Sequence, residues 1–345
     1  MEGNVWTTKK MILLISVMLL IFNCFCISSY CSEKTDASIG LAVEFMDHAA
    51  AAYISQYQGW FEEEGLDIKS YENYVTGMAL AAALGRGDIQ VAYICLVPAI
   101  NAYANAKVPI KIVTGTHKYG YGLVVDSNKI KCIQDLEKEG IRIGCVTEGG
   151  AVDVLLYKAI NKYNLDREKV LDNIQRMNPP KQLLVLQMGR LDAAFLPEQW
   201  ATMAEGDRYH MLLMSQDIWP EMQGSVLVVK EELIEKYPEL VEKLVKVTEK
   251  STDWINQNPE SAAEIVAHQL SLVGDYILPA QVKDIDPDKI EFNADVLFKS
   301  MNRIDYCTGI DSQTVQDNID FLVELGYIKS AFDADEILDL RFLSK

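Results

Sequence analysis

One order of strand-like and helical segments runs through this chain twice. A run at Ser38 to Phe45 leads into a helical stretch, a second strand at Asp67 to Glu72, and a helix that stops at Gly85-Arg86-Gly87-Asp88 before Ile89 to Ile94. The order returns at Ile141 to Val146, Ala151 to Tyr163, Asn173 to Met177 and Lys181 to Met188, then Gly189-Arg190-Leu191-Asp192 and Ala193 to Leu196. Two βαβαβ units in one chain predict an α/β protein of two similar lobes with a cleft between them.

The periodicities carry that assignment. Ile39, Leu41, Val43 and Phe45 alternate, as do Ile141, Ile143 and Cys145, which is strand spacing. Tyr53, Tyr57, Trp60 and Phe61 recur at helical spacing, and Val152, Leu155, Leu156, Ala159, Ile160 and Tyr163 give a fuller stripe, so both stretches are expected to face the core. In each repeat a Gly follows the second helix, where a left-handed residue ends it, and an Asp then starts a short buried run. Arg86-Gly87-Asp88 has the form of an adhesion signal, but its counterpart Arg190-Leu191-Asp192 makes it a helix-to-strand corner.

The 345 residues are long for one core, and the formal charge of -18 disfavours nucleic acid and anionic membrane surfaces as partners. Lys9 and Lys10 precede an uncharged apolar run from Met11 to Tyr30, which reads as an export leader within residues 1–31, cleaved or kept as an anchor. Small residues suit a cut after Ser28 or after Cys31; alternatively Cys31 carries lipid, although Ser28-Ser29-Tyr30 departs from the usual small residue beside a lipidated Cys. Beyond the leader, Cys95, Cys132, Cys145 and Cys307 have no paired metal spacing, and Cys95 and Cys145 read as buried thiols. An exported location permits a Cys132–Cys145 disulfide. The histidines, His48, His117, His210 and His268, form no ligand pair at helical spacing, so no metal site is predicted, and no cofactor is expected.

Ligands of open α/β sheets bind beyond the carboxyl ends of the strands, where helix N-termini present unpaired N–H groups. Four segments fit: Glu44 to His48, Val75-Thr76-Gly77-Met78, Thr147-Glu148-Gly149-Gly150-Ala151, and Asn178-Pro179-Pro180. The candidate contacts in them are Glu44, Phe45, Asp47, His48, Thr76, Gly77, Thr147, Gly149, Gly150, Ala151 and Asn178, with Cys95 at the end of the third strand. Thr76 and Asn178 serve equally as ordinary helix caps. Gly149-Gly150 clears side chains from a helix start, without the GxGxxG spacing of dinucleotide sites. His48 and Lys118 offer positive charge and Phe45, Tyr119 and Tyr121 a surface to pack on, against the plainer reading of solvated charges and rim aromatics.

Thr114 to Val125 reads as a crossover strand, with one connection between lobes at Tyr121 to Asp126 and a return near Gln223-Gly224-Ser225. That divides the chain into a discontinuous first lobe, residues 37–123 plus 226–345, and a second lobe, residues 124–225. The C-terminal part is helical, with stripes at Leu233 to Val245, Ala262 to Leu270 and Val315 to Leu325.

Gly59-Trp60-Phe61 followed by Gly65-Leu66-Asp67-Ile68, then Leu186 to Gly189, Asp192-Ala193 and Glu198, resembles the substrate-binding proteins of ABC importers for nitrate, sulfonates and taurine, a family related to pyrimidine-precursor binders. Val229-Lys230 to Tyr237-Pro238-Glu239 agrees, and the likeness runs from Ala37 to Leu270. Family members commonly have Pro after the residue matching Glu198; here it is Gln199. The resemblance implies a type II periplasmic-binding-protein fold with a two-segment hinge. It further implies capture of a small oxyanion or zwitterion by lobe closure, delivery to a permease and ATPase, a monomer, and a place outside the cytoplasm, tethered to the membrane by anchor or lipid. Backbone N–H groups at Thr76-Gly77 and Gly149 to Ala151, helped by Thr147 and Lys118, are the expected oxyanion donors, with Glu198 carried over from the family motif. Glu44 and Asp47 repel a simple anion, which favours a ligand with an amine or ring donors, such as a taurine-like zwitterion or a pyrimidine.

Two other classes share the fold. Pyrimidine synthases and menaquinone-pathway enzymes use it, but the synthase carries a Cys cluster and a reactive His in an intracellular chain, unlike this one, so no enzyme activity is expected. A ligand-sensing receptor needs a signalling partner, which the sequence does not name.

Overall fold

The computed structural model describes residues 38–278 and 290–344. The leader, with Cys24, Cys26 and Cys31, lies outside the described residues.

The strands form two mixed sheets. The first runs β2 (Asp67–Tyr74), β1 (Ser38–Glu44), β3 (Val91–Cys95), β10 (Gln223–Lys230), β4 (Ile110–Tyr119), with the two-residue β11 (Ile304–Asp305) at its edge. The second runs β7 (Ile174–Arg176), β6 (Ile143–Cys145), β8 (Ala193–Pro197), β5 (Tyr121–Asp126), β9 (Tyr209–Met214). Each has a parallel trio built by its own repeat, and in each the next strand is antiparallel and arrives from the other lobe: β10 beside β3, β5 beside β8. That exchange of one strand is what joins the lobes by two segments. The first sheet therefore takes strands from before and after those of the second in sequence.

The chain changes sheets at Gly120 and again between Met214 and Gln223. Thr114 to Val125 is therefore two strands broken at the hinge, where Tyr119 (φ 64°) and Gly120 (φ 89°) both take left-handed conformations. A β-branched residue is poorly suited to either position.

The central strands of the first sheet are buried on both faces. Leu41 and Val43 point to the side covered by the helices Ala50–Gln58, Pro238–Gln257 and Pro259–Ile277, and Ala42 to the side covered by Gly77–Arg86 and Leu96–Ala106. The expected stripe through Tyr57 is corrected: Gly59 (φ 74°) ends that helix, a new turn starts at Trp60, and Tyr57 is 52% exposed while Tyr53 and Phe61 are buried. The corners at Gly87 (φ 90°) and Gly189 (φ 68°) match between lobes. The four cysteines described, Cys95, Cys132, Cys145 and Cys307, are free thiols, so Cys132 and Cys145 are not bridged.

Candidate functional site

Because β1 and β3 lie side by side and parallel, their last residues emerge together at the carboxyl edge of the first sheet. Glu44 ends β1 and Cys95 ends β3. The Cys95 backbone N–H donates to Glu44 Oε1 at 2.9 Å and its thiol donates to Oε2 at 2.9 Å. Tyr121, just past the hinge, donates its hydroxyl to Cys95 Sγ at 2.9 Å. His48 sits on the short turn after β1, with Nε2 2.6 Å from the Gly120 carbonyl oxygen and Nδ1 3.8 Å from Cys95 Sγ. All are buried, and desolvation sets their protonation. It pushes the Glu44 carboxyl up, the Cys95 thiol well up, and the His48 imidazole down to about 4.

Glu44 and Cys95 form the floor of a cleft of about 460 Å³ shared by both lobes. On the first-lobe side are Thr76, Gly77 and Met78, the start of the Gly77–Arg86 helix, together with Pro98. Facing them are Thr147, Gly150, Ala151 and Val152, the start of the Ala151–Lys162 helix. The first-turn N–H groups of a helix have no intrahelical acceptor, and its N-terminus carries partial positive charge. Two such ends oppose each other across the cleft. Gly77 leaves room for the floor, since a Cβ there would lie 2.2 Å from Glu44 Oε1 and 2.7 Å from Pro98 Cγ. The remaining walls, Met46, Val75, Val146, Pro179 and Pro197, are apolar, and among the described residues no Lys or Arg lines the cleft.

Two strand-exchanging sheets with a ligand-sized cleft at their shared edge are a shape that solved structures can be compared with. The family model for the NMT1-like family matches residues 32–270. The chain belongs to the NMT1-like family. A putative binding protein of Brucella abortus (strain 2308) is 25% identical over 250 residues, 70% of this chain and 73% of that one. The taurine-binding periplasmic protein of Escherichia coli (strain K12) is 22% identical over 318 residues, 89% of this chain and 93% of its own. Among solved structures, the alkanesulfonate-binding protein of Xanthomonas axonopodis pv. citri bound to MOPS superposes with a TM-score of 0.70 at 13% identity, covering 88% of this chain and 98% of that one. The periplasmic nitrate-binding protein of Synechocystis PCC 6803 gives a TM-score of 0.66 at 12% identity, covering 88% and 86%. The fold is the two-lobed type II periplasmic-binding fold.

Of the residues singled out from sequence, this NMT1-like chain brings Glu44, Thr76, Gly77, Cys95, Thr147, Gly150 and Ala151 to the cleft. Gly149 is beside it with its amide already used: its N–H donates to Asp153 Oδ2 at 3.0 Å and its carbonyl accepts from Asn101 at 3.0 Å. The Gly150 N–H is likewise taken by the Thr147 carbonyl at 3.1 Å, so the lobe-2 donors begin at Ala151. Thr76 caps its helix through Ala79 N, and Asn178 caps the next through Lys181 N, leaving Pro179 at the cleft.

The others lie elsewhere. Phe45 is core, packed on Trp200 and Phe292 with ring centroids 6.2 and 5.4 Å away. Lys118 lies in β4 opposite Gln223 and Asp305, and the Tyr119 hydroxyl donates to the Pro220 carbonyl at 3.0 Å in the hinge. Asp47 and Glu198 belong to a seam between lobes behind the cleft. Asp47 bonds Ser300 through its carboxylate and the Tyr306 hydroxyl through its carbonyl, and burial pushes it up to about 7. Glu198 accepts from Thr202 and from Arg303 Nη1 at 2.9 and 3.0 Å.

Outside the four segments named from sequence, the cleft is also lined by Pro98, Val146, Val152 and Pro197. The strand-end rule that found Glu44 also applied to β3 and β8, whose following residues include Pro98 and whose last is Pro197. The sequence reading missed that Glu44, His48 and Cys95 bring one ligating atom each within 4.8 Å of one another. Among the described residues no helix is long and apolar enough to cross a membrane.

Proposed function

We propose that this chain is the extracytoplasmic solute-binding component of an ABC importer, capturing a small molecule by lobe closure and passing it to a permease. The observation that carries the reading is the cleft with one helix N-terminus from each lobe aimed into it. A ligand favours the closed state only by the difference in its contacts between states, and a molecule touching both helix starts gains contacts only when the lobes meet. The names of the relatives, binding proteins for taurine, alkanesulfonate and nitrate, support the same role. The periplasmic names of the taurine and nitrate relatives support an exported location as well; a monomer held near the membrane by its leader or a lipid completes the proposal, on the sequence reading alone.

The solute we favour carries an anionic or carbonyl end for the amides near Gly77 and Ala151 and a donor, an amine or ring nitrogen, for the Glu44 carboxyl. Apolar walls, with no cation among the described lining residues, weigh against a bare oxyanion such as nitrate. Taurine-like zwitterions and amino-pyrimidines meet both requirements.

Native mass spectrometry of protein from its own host, followed by calorimetry with taurine, alkanesulfonates, nitrate, bicarbonate and pyrimidines, tests this. Saturable heat is expected from a zwitterion or pyrimidine. No retained molecule and no heat from any member would sink the proposal, and binding of nitrate alone would overturn the solute class.

A further inference from the structure

Three side chains at the cleft floor come from separate places in the sequence and are held by rigid neighbours: the end of β1, the turn after it, and the end of β3. We propose that Glu44, His48 and Cys95 form a site for a divalent transition-metal ion of the Zn²⁺ class, its fourth position open to the cleft.

The donor set fits that class. One carboxylate oxygen, one imidazole nitrogen and one sulfur suit borderline-soft Zn²⁺, whereas Mg²⁺ and Ca²⁺ ask for oxygen alone. The distances fit as well. Zinc bonds of about 2.0–2.3 Å put neighbouring donors of a tetrahedron about 3.5 Å apart. Cys95 Sγ is 2.9 Å from Glu44 Oε2 and 3.8 Å from His48 Nδ1, and all three ligating atoms lie within 4.8 Å. The second separation is long for a hydrogen bond, and small side-chain shifts bring all three onto one ion.

The surroundings orient each donor as a metal site requires. A carbonyl oxygen can only accept, so Gly120 O, 2.6 Å from His48 Nε2, fixes the proton on Nε2 and leaves the Nδ1 lone pair facing the sulfur. Metal-bound imidazoles are held by this kind of bond on the other nitrogen. Hydroxyls of Tyr121 and Ser225 point at Cys95 Sγ from 2.9 and 3.5 Å and would stabilise a thiolate. The Cys95 N–H occupies Glu44 Oε1, so Oε2 is the oxygen turned to the sulfur. Binding releases the thiol proton to solvent, with the carboxyl proton when Glu44 carries one, and involves no change of oxidation state. Glu44, Cys95 and Tyr121 all line the cleft, which gives the ion its route in.

The site shares Glu44 with the solute contact proposed above, so its test uses metal alone, with no organic solute present. The full chain, stripped with a chelator, is titrated with Co²⁺ and then Zn²⁺. One equivalent of Co²⁺ should produce a thiolate-to-cobalt charge-transfer band and tetrahedral d–d absorption, both lost on adding Zn²⁺. Cys95→Ser should abolish the charge-transfer band, Glu44→Gln should weaken binding at least about 10-fold, and Tyr121→Phe, which removes no ligand, should weaken it roughly 10-fold. Near-ultraviolet circular dichroism checks that each variant is folded. No band in the wild type, or a band that survives Cys95→Ser and so comes from the other thiols, overturns the site. Should Cys95→Ser fail to fold, undiminished affinity in Glu44→Gln overturns it instead.

Discussion

Gln199, in the second lobe, accepts the backbone N–H of Asp47, in the first, through its side-chain Oε1 at 2.7 Å. The residue that departs from the family's usual Pro is thus a direct strap between lobes. Ser300 and Tyr306 hold Asp47 from the other side, and the Arg303 guanidinium reaches across to Glu198 and Glu205. The helix Ala294–Met301 and the strand after it therefore belong to the seam, not to a separate tail.

Gln199→Ala should cost about 1–3 kcal/mol of unfolding free energy, because it strands a buried N–H without water to replace the amide oxygen. Urea denaturation measures it. A loss below a few tenths of a kcal/mol would mean that the Asp47 amide finds another partner.

Arg303→Leu should destabilise by about 3 kcal/mol near neutral pH, since it leaves the buried Glu198 carboxylate uncompensated. Burial already holds Glu198 above its usual range in the presence of Arg303. A carboxyl with a raised folded pKa disfavours folding as it ionises, and losing Arg303 raises it further, so the deficit should widen as pH rises through the already raised wild-type value and narrow below it. Melting temperatures across pH 3–8 (about that range spans the carboxylate titration) distinguish this from a deficit independent of pH.

Asp192 shows the opposite sign. Its fully buried carboxylate accepts from Arg142 Nε and Nη2 at 2.9 and 2.8 Å, from Arg142 N at 3.0 Å, and from Lys129, which together hold it well below the usual carboxylate range. Its contribution is complete above the unfolded value of about 3.9 and is lost as pH falls through the lower folded value. Asp192→Asn should therefore cost about 1–3 kcal/mol at neutral pH and converge on wild type in strong acid. Equal deficits at both ends of a pH series of denaturation curves would refute it.

Gly77→Ala should spare the fold and damage the site. The added methyl would push the Glu44 carboxyl off the cleft floor, so the solute retained by the wild type should bind at least about 10-fold more weakly, with a stability cost of about 1–3 kcal/mol. Calorimetry with that solute, beside a thermal melt, separates the two effects.

The double βαβαβ pattern was legible because alternation and helical stripes are local, and the matching corners at Gly87 and Gly189 tied the copies together. Tyr57 misled for the same reason: its spacing continues the stripe, but the Gly59 bend rotates the next turn away. The strand-end rule located Glu44, Thr76, Gly77, Thr147 and Ala151. It could not separate Phe45 and Asp47 from Glu44, since neighbours along a strand end diverge into core, seam and cleft. Nor could spacing join His48 to Cys95, because they meet only through the β1–β3 pairing, or reveal that the Gly149 amide is spent on Asp153.

The Gly120 carbonyl is gripped from both sides, by His48 Nε2 of one lobe at 2.6 Å and by the Glu198 N–H of the other at 2.9 Å. Any swing of the halves about that pivot must tug the imidazole, so gape angle and whatever rests beneath it form one thermodynamic couple, each biasing the other equally. A Cβ at position 120 would lie 2.6 Å from that ring nitrogen, so Gly120→Ala should retune affinity through His48 and the pivot.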